Sequence, residues 1–290
     1  MSVSLTRMKR GMQIIANVLG SFLHHPRLCL RLLSTIPFFI VRGAYYGRSW
    51  VATSKVPTVS TCLGNARSAG SANPLRAYFD SHREGRGVWK WLHYFDIYHR
   101  HFSRFTGREV HVLEIGVYSG GSLEMWREYF GPKCRVYGVD IERACKVYED
   151  DRTKIFVGDQ GDRGFWKRFK EQNPAIDILI DDGSHDPEHQ IVTLEEMLPH
   201  LRPGGIYLCE DVHGKWNRFH AYVQGLATEL NSVESVTSDR QKGLACTPTE
   251  LQAAIQSIHL YPFVTVIEKS DQLRQEFTAP KHGTEWQPFL

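Results

Sequence analysis

The chain has 290 residues, of which 42% are hydrophobic and 23% are charged; this is enough apolar material for one or two domains with a buried core, and it excludes a wholly disordered protein. The formal net charge of +3 hides an asymmetry, because residues 1–79 contain ten Lys or Arg and no Asp or Glu, while the remainder carries 25 basic and 32 acidic residues. A body with a net charge of −7 disfavours nucleic acid as the main partner.

The N-terminal region, residues 1–48, is free of acidic residues, and the sequence has no run of 18 apolar residues that would predict a membrane-spanning helix. Its composition is typical of an organelle transit peptide, and it equally suits an amphipathic arm on an anionic membrane or an extension that the body does not need. Residues 53–73 are rich in Ser, Thr, Gly and Ala, which indicates a linker. The sequence therefore predicts an arm and linker over residues 1–72, a folded domain over 73–270 and a loosely ordered tail over 271–290.

The six cysteines are scattered without a CxxC pair, which argues against a zinc ribbon or a disulfide framework and favours a reducing compartment. We therefore expect a cytoplasmic protein, with organelle targeting by the arm left open. The expected partner is a small molecule rather than a nucleic acid. Peripheral membrane contact through the arm and a homo-oligomer are both compatible with the sequence.

From about residue 73 onward, short apolar runs alternate with helical stretches. The first helix is predicted over residues 88–105, where Trp91, Phe95, Tyr98 and Phe102 recur on one face and are expected in the core. The alternation that follows implies βαβ units and a parallel sheet covered by helices on both faces. Strands are predicted over residues 110–115, 135–140, 154–157, 176–180 and 205–209, and helices over 123–130, 165–171, 188–201 and 215–230.

Three segments near the C-terminus are read from local composition. Residues 258–261 and 263–268 are either a closing hairpin or one bent strand at the sheet edge. Residues 237–243 are predicted as a solvated loop. The aromatic and basic residues 215–220 either stack on the ring of a bound ligand and close the pocket, or form the first turns of a packed helix.

The first predicted strand ends in the sequence LEIGVYSGGS, residues 113–122. Its glycines allow a tight turn and the close approach of a ligand. The spacing of Gly116, Gly120 and Gly121 is not the GxGxxG of a dinucleotide site, and no P-loop lysine follows. Glu114, two residues before the first glycine, favours a cationic ligand group such as an ammonium or a sulfonium.

Polar residues also follow the second and third predicted strands. Ligands of open α/β sheets lie beyond the carboxyl ends of the strands. Asp140 ends the second strand at the position where Rossmann-like sites accept hydrogen bonds from ribose hydroxyls. Asp159 and Gln160 follow the third strand, with polar groups able to recognise an adenine edge.

These motifs resemble those of the class I S-adenosylmethionine-dependent methyltransferases, over roughly residues 73–269, and LEIGVYSGG is typical of that fold. The resemblance implies a doubly wound, mostly parallel, Rossmann-like α/β fold with a seven-stranded sheet and an antiparallel C-terminal edge. It implies S-adenosylmethionine as cofactor, with Glu114, Gly116, Tyr118 and Ser119 around the methionine part, Asp140 on the ribose, and Asp159 and Gln160 near the adenine.

Four carboxylates follow the fourth and fifth predicted strands: Asp181 and Asp182, then Glu210 and Asp211. As bare anions they would repel one another and raise one another's pKa values. A hard divalent cation relieves this repulsion, and all-oxygen ligation selects Mg²⁺, Mn²⁺ or Ca²⁺ over zinc. The alternative is that one or two of these acids cap the helices that follow.

The spacing of these acids resembles the metal-dependent O-methyltransferases, both the catechol type and, more closely, the type that methylates macrolide sugars. The rhamnosyl O-methyltransferase and cephalosporin hydroxylase-like group is a more distant relative by the same motifs. The macrolide group implies Asp182, Glu210 and Asp211 as ligands of Mg²⁺ or Mn²⁺, with His185 as the base. The large N-terminal auxiliary domain of that group has no obvious counterpart here, so the resemblance does not identify the substrate of this protein. His213 and Asp181 are reserve candidates.

The chemistry follows from these residue types. A sugar hydroxyl is a poor nucleophile until it is deprotonated; a divalent ion polarises it and a histidine accepts its proton at neutral pH. We therefore predict Mg²⁺-dependent methyl transfer to a hydroxyl of a sugar or glycosylated natural product. The alternatives are a catechol-like or other small vicinal diol as acceptor, and a cofactor-binding protein without turnover.

Overall fold

The structure is a computed structural model that describes residues 73–285, apart from residues 215, 234–235 and 240–242, together with position 40; the side chains of residues 238 and 239 are also outside the description. The chain divides into two units, Met1–Gly70 and Ser71–Leu290, and the account below concerns the second. Apart from position 40, residues 1–72 and the predictions made for them lie outside the described residues.

The described body alternates strands and helices as the sequence predicts. No helix in this described part is long and apolar enough to cross a membrane. In chain order, the elements are α1 (Pro74–Ser81), α2 (Tyr94–Phe102), β1 (Val110–Ile115), α3 (Gly121–Phe130), β2 (Cys134–Asp140), β3 (Thr153–Val157), α4 (Arg163–Gln172), β4 (Ile176–Asp181), α5 (Pro187–Met197), β5 (Leu201–Cys209), α6 (Arg218–Leu230), β6 (Thr237–Asp239), β7 (Gly243–Cys246), α7 (Glu250–Ala254), β8 (Ile255–Tyr261), β9 (Val264–Lys269) and β10 (Phe277–Pro280).

Seven strands form one sheet in the order β3-β2-β1-β4-β5-β9-β8. The first five are parallel, whereas β9 runs antiparallel to β5 and β8 antiparallel to β9. The predicted doubly wound sheet with an antiparallel C-terminal edge is thus confirmed. Ile115 pairs with both Val139 and Asp181, and Asp181 pairs with Cys209. The carboxyl ends of four strands therefore lie at one level, where the loops that follow them meet.

Two apolar layers cover the sheet. On one face, α2 and α3 bury aromatic side chains such as Phe102 and Trp126. On the other face, α4 buries Trp166, α5 buries Leu194 and α6 buries Phe219. Full burial of one such side chain contributes about 1.5–3 kcal/mol. Because both faces are covered, strands such as β1 are buried along their whole length, which is why they read as continuous apolar runs.

The first predicted helix is shorter than its periodicity indicates. The structure begins α2 at Tyr94, and residues 86–93, which we call the strap, run without helix or strand. Phe95, Tyr98 and Phe102 are buried as predicted, but Trp91 is 54% exposed and does not join the core. The indole of Trp91 instead donates a hydrogen bond to a carboxylate at the sheet edge. This long-range contact could not be inferred from helical spacing.

A second, three-stranded sheet was not predicted. It has the order β10-β7-β6, so residues 237–239 and 243 of the predicted loop are in strands, and residues 277–280 of the predicted tail pair with β7. Such pairs join segments far apart in the chain, and short strands of this kind leave little local pattern. The C-terminal apolar runs form the hairpin alternative, with Tyr261 opposite Val264.

Of residues 215–220, residues 218–220 form the first turn of a packed helix, α6. Asn217 caps α6 by accepting a hydrogen bond from the His220 amide, and Phe219 is fully buried. Trp216 remains 82% exposed. Residue 215 lies outside the described residues.

Glu268 ties α2 to the β8–β9 hairpin, and its removal should destabilise the fold in a pH-dependent way. His101 Nδ1 donates to Glu268 Oε1 at 2.6 Å, and this hydrogen bond lowers the pKa of the carboxyl below its ordinary value near 4.5, against the opposing effect of burial. A carboxylate with a lowered folded-state pKa stabilises the protein above its unfolded pKa and loses that contribution as the pH falls. We expect Glu268→Gln to reduce the free energy of unfolding by about 1.5 kcal/mol at neutral pH. Urea denaturation should show this gap closing below about pH 4.5; a gap independent of pH would contradict the assignment.

Candidate active site

A cavity of about 1080 Å³ opens at the carboxyl ends of the five parallel strands, β1 to β5. The strap lines it from one side, and the segments that follow the five strands line most of the rest. Glu114 is fully buried and contacts two lining residues, Lys90 and Ser122. The other predicted site residues line the cavity directly: Gly116, Tyr118, Ser119, Asp140, Asp159, Gln160, Asp182, His185, Glu210 and Asp211.

The loop after β1 depends on a glycine. Gly116 has φ +89°, and a Cβ at this position would lie 2.0 Å from the carbonyl oxygen of Asp182. The loop after β4 therefore passes against the Gly116 backbone with no space for a side chain. Asp182 N also donates to Ile115 O at 3.0 Å, so the loops after β1 and β4 are joined directly.

Asp140 is oriented for a ligand by backbone amides. Its Oδ2 accepts from Val117 N at 2.8 Å and Tyr118 N at 3.0 Å, and its Oδ1 accepts from Glu142 N at 2.8 Å. A carboxylate has about four lone-pair sites, so these three bonds leave capacity for one ribose hydroxyl at the cavity.

The side chain of Gln160 has a structural role that was not predicted. Its amide nitrogen donates to Asp181 Oδ1 at 3.0 Å and Thr193 Oγ1 at 3.2 Å, and its oxygen accepts from Ser184 N at 2.7 Å. Both amide hydrogens are used, while the amide oxygen keeps one lone pair. Gln160 thus holds the loop after β4 in place, and its contact with the adenine stays a prediction. Asp159 is exposed at the cavity, where the adenine was expected.

Asp182, Asp211 and His185 lie close enough together to hold one metal ion. His185 Nε2 lies 4.0 Å from Asp182 Oδ1 and 3.7 Å from Asp211 Oδ2. His185 and Asp211 both have positive φ, 57° and 53°. Residues other than glycine seldom adopt this conformation, and it is found where a site requires a side chain to point in a particular direction.

The second oxygen of each carboxylate is bound by the strap or by α2. Asp182 Oδ2 accepts from Lys90 Nζ at 2.5 Å. Asp211 Oδ1 accepts from Tyr94 OH at 2.7 Å and Trp91 Nε1 at 3.1 Å. Each carboxylate therefore keeps one oxygen, Asp182 Oδ1 and Asp211 Oδ2, for the space beside His185.

Glu210 lies outside this group of three, and its part as a metal ligand stays a prediction. It is 1% exposed, and its carboxylate accepts from Tyr98 OH at 2.6 Å and, through both oxygens, from Lys90 Nζ at 3.1 Å. Burial and the charge of Asp182 raise the pKa of Glu210, whereas Lys90 and Tyr98 oppose that rise. In this arrangement Glu210 anchors Lys90.

The two reserve candidates take other places. Asp181 is fully buried, where Gln160 and Tyr207 donate to its carboxylate, and burial raises its pKa to about 6. His213 is exposed at the cavity, and its ring lies edge-on to Phe263.

Sequence reasoning missed the donors that organise the carboxylates. Lys90, Tyr94 and Tyr98 recur every four residues, which a helical reading places on one face. A lysine on the same helical face as buried aromatic residues is expected to be buried too. Since an ammonium is seldom buried unless it is paired, this position indicated that Lys90 has carboxylate partners. The Lys90 side chain is 3% exposed.

The order of the seven-stranded sheet, the glycine loop after β1 and the acid at the end of β2 define a Rossmann-like methyltransferase fold. Residues 113–212 match a family model described as a methyltransferase domain. The chain therefore contains a methyltransferase domain.

The names of similar proteins state a reaction, whereas the family description gives only the type of domain. The chain is similar to the 8-demethyl-8-(2-methoxy-alpha-L-rhamnosyl)-tetracenomycin-C 3'-O-methyltransferase of Streptomyces olivaceus, with 33% identity over 63% of this chain and 50% of the relative. It is also 33% identical to the demethylmacrocin O-methyltransferase of Streptomyces fradiae, over 62% of this chain and 50% of the relative. The chain thus spans about half the length of the curated relatives it matches.

Among solved structures, the body is similar to the MycE methyltransferase of the mycinamycin biosynthetic pathway in complex with Mg and SAH. The TM-score is 0.55 at 28% identity, covering 68% of this chain and 54% of that chain. A further structure of the same enzyme also contains mycinamycin VI, at the same TM-score.

Proposed function

We propose that this protein transfers a methyl group from S-adenosylmethionine to a hydroxyl of a sugar, free or within a glycosylated natural product, with Mg²⁺ or Mn²⁺ as the metal. One observation carries the proposal: two carboxylate oxygens and an imidazole nitrogen converge beside the loop that follows β1. The O-methyltransferases of glycosylated compounds among its relatives, and the Mg and SAH of MycE, support the same reaction.

The cofactor would occupy the side of the cavity formed by the loops after β1 and β2. Gly116 lets the loops close tightly, and Asp140 offers an acceptor to the ribose. The exposed Tyr118 and the half-buried Ser119 lie at the expected methionine end. S-adenosylmethionine supplies a methyl group on a sulfonium centre. Glu114, fully buried nearby, contributes negative charge on the sulfonium side.

The metal would be held by Asp182 Oδ1 and Asp211 Oδ2. Hard oxygen donors suit Mg²⁺ and Mn²⁺, and Mg²⁺ is commonly bound through one or two carboxylates, with water and substrate oxygens as its other ligands. When bound, the ion polarises the acceptor hydroxyl and stabilises developing negative charge on oxygen. Trp91 and Tyr94 orient the Asp211 carboxylate for this role.

His185 would accept the proton of the acceptor hydroxyl at Nε2. The hydroxyl oxygen forms its bond to the methyl carbon as the bond from that carbon to sulfur breaks, and S-adenosylhomocysteine is the second product. Asp211 Oδ2, 3.7 Å from Nε2, then stabilises the imidazolium. Orientation of these groups accounts for much of the acceleration.

The entrance to the cavity supports an acceptor larger than a simple diol. Trp89 is 87% exposed and Tyr118 is 75% exposed, and both line the cavity. Exposed aromatic side chains at a cavity mouth favour stacking on a sugar ring or an apolar scaffold.

A labelled-methyl screen against glycosides and small diols tests the function. With Mg²⁺ present we expect label to enter glycosides, and a chelator should reduce the rate at least about a hundredfold, because the polarised hydroxyl is lost. Transfer that is unchanged by chelator would contradict the metal-dependent reaction. Preference for catechols, with no need for His185, would support the catechol-type acceptor instead.

The described cysteines support a reducing, cytoplasmic setting, since Cys134, Cys145, Cys209 and Cys246 are all free. We also propose that residues 73–270 act as the catalytic domain, and that a chain beginning near residue 71 keeps the folded body.

A further inference from the structure

A second group of side chains able to bind a metal lies between α2 and the β8–β9 hairpin, away from the cavity. It consists of His101 on α2, His259 on β8 and Glu268 on β9. None of the three lines the cavity at the ends of the parallel strands. One ligand atom from each residue lies within 4.8 Å of those from the other two. Three separate elements of the fold therefore bring two imidazoles and a carboxylate together.

The three side chains lie beside an apolar layer. His259 pairs with Val266 across the hairpin, and Glu268 comes two residues after Val266. Residues two apart in a strand share a face, so His259 and Glu268 lie on the same face of the hairpin. Val266 is fully buried in the layer that α2 covers, and the His101 side chain is only 3% exposed. Polar groups in such a position are costly unless they have partners, so their convergence calls for a specific role.

Each imidazole of the group is held at one ring nitrogen by a neighbouring hydroxyl. Nε2 of His101 lies 2.9 Å from Tyr261 OH, while its Nδ1 lies 2.6 Å from Glu268 Oε1. Nε2 of His259 lies 3.0 Å from Ser257 Oγ, which leaves Nδ1 of that ring for another partner. Histidines that bind a metal characteristically form a hydrogen bond through the other ring nitrogen, which fixes the ring's orientation. Both histidines therefore have the outer contacts of metal ligands.

The carboxylate is divided in the same way, and the set of donors selects the ion. Glu268 Oε1 faces His101, whereas Oε2 lies 3.5 Å from Nη1 of Arg104. Two histidines and one glutamate are a ligand set that Zn²⁺ takes in proteins, with a fourth position open. Mg²⁺ prefers oxygen ligands alone, so this group and the acidic residues of the cavity suit different metals.

We propose that His101, His259 and Glu268 form a Zn²⁺ site, separate from the cavity, that fastens α2 to the β8–β9 hairpin. The ion takes the place of the proton that His101 Nδ1 donates to Glu268 in the metal-free protein. Because β8 is the last strand of the sheet, the ion can enter from the sheet edge. α2 also carries Tyr94, which donates to Asp211 in the cavity, so the site would stabilise a helix that the cavity depends on. The inference does not require the proposed methyl transfer.

Calorimetric titration of the chelator-treated full chain with Zn²⁺, in excess Mg²⁺, tests the site without measuring turnover. We expect the wild-type chain to bind one Zn²⁺ more than His259→Ala does, because that variant lacks a ligand of the ion. The affinity at this site should fall at least about a hundredfold in the variant. Any Zn²⁺ that enters the cavity binds equally to both proteins, so the difference between them reports on the group alone.

Two further variants separate metal binding from packing. His99→Ala is the matched control, because His99 lies on the same helix and its ring contacts the Tyr129 hydroxyl at 2.8 Å instead of a carboxylate; it should bind Zn²⁺ like the wild type. Tyr261→Phe keeps all three ligands and removes one outer contact, so it should weaken Zn²⁺ binding about tenfold. Zn²⁺ should also raise the urea midpoint of the wild type and not that of His259→Ala, since the three ligands meet only in the folded chain.

Two results would overturn the inference: equal number and affinity of bound Zn²⁺ in the wild type and His259→Ala, or a loss in His99→Ala as large as that in His259→Ala. If His259→Ala does not fold, unchanged Zn²⁺ affinity in Tyr261→Phe together with an unchanged urea midpoint of the wild type in Zn²⁺ would overturn it as well. A protein that binds this Zn²⁺ as expected but transfers no methyl group would contradict the proposed function and leave the zinc site standing.

Discussion

Replacement of His185 by alanine should reduce methyl transfer about a thousandfold while leaving the affinity for S-adenosylmethionine nearly unchanged. The imidazole lies beside the proposed metal ligands, 3.7 Å from Asp211 Oδ2 and 4.0 Å from Asp182 Oδ1. An alkyl hydroxyl needs a proton acceptor as the bond to the methyl carbon forms, and no carboxylate oxygen bound to a metal can serve equally well. Single-turnover rates and calorimetric cofactor binding measure the two effects separately.

His213→Ala is the matched control, because His213 is exposed in the same cavity and was the reserve candidate for the base. We expect the rate of methyl transfer to fall less than about fivefold in His213→Ala, since no proton transfer is lost. Added imidazole should partly restore His185→Ala, which a purely structural role would not allow. Full turnover in His185→Ala, or the large loss in His213→Ala, would remove His185 from the mechanism.

Replacement of Gly116 by alanine should abolish cofactor binding and destabilise the domain by about 3 kcal/mol or more. The positive φ of this residue costs alanine about 1–2 kcal/mol. The added Cβ would lie 2.0 Å from the carbonyl oxygen of Asp182. That oxygen belongs to the backbone, so the loop after β4 must move, and the Asp182 carboxylate moves with it. Chemical denaturation and calorimetry of cofactor binding measure the two consequences.

The variant Gly107→Ala measures the free-energy cost of a positive φ at alanine without the steric clash that the added Cβ makes at Gly116. Gly107 has φ +74°, and an added Cβ there meets nothing within 4 Å. This variant should lose only about 1–2 kcal/mol of stability and bind the cofactor normally. If Gly116→Ala behaves like Gly107→Ala, the close approach of the two loops is not required for binding.

The main sheet could be predicted because the residue types of each strand already indicate that both of its faces are buried. The predicted strand 110–115 coincides with β1, all of whose residues are buried. A strand covered on both faces is apolar along its whole length, so no distant information is needed to find it. The second sheet carries no such pattern: β7 and β10 are four residues each and pair across about thirty residues of sequence.

The position of the site could also be predicted, since parallel strands end at one edge and their following residues must meet there. Asp140, Asp182 and Asp211 line one cavity as expected. The role of individual oxygens could not be predicted. Gln160 and Glu210 have the residue types that a ligand site requires, yet both are engaged within the protein.

The amino-acid sequence alone determined the class of fold, the loop that follows β1 and the set of acidic residues at the sheet edge, because each is recorded in a short continuous stretch of chain. Only the tertiary structure decided which donors contact each of these acids. Lys90 and Tyr98 reach Glu210 across more than a hundred residues of sequence, as Tyr94 and Trp91 reach Asp211. A carboxylate's availability depends on which donors fold against it, and that is a property of the packed chain rather than of any local pattern.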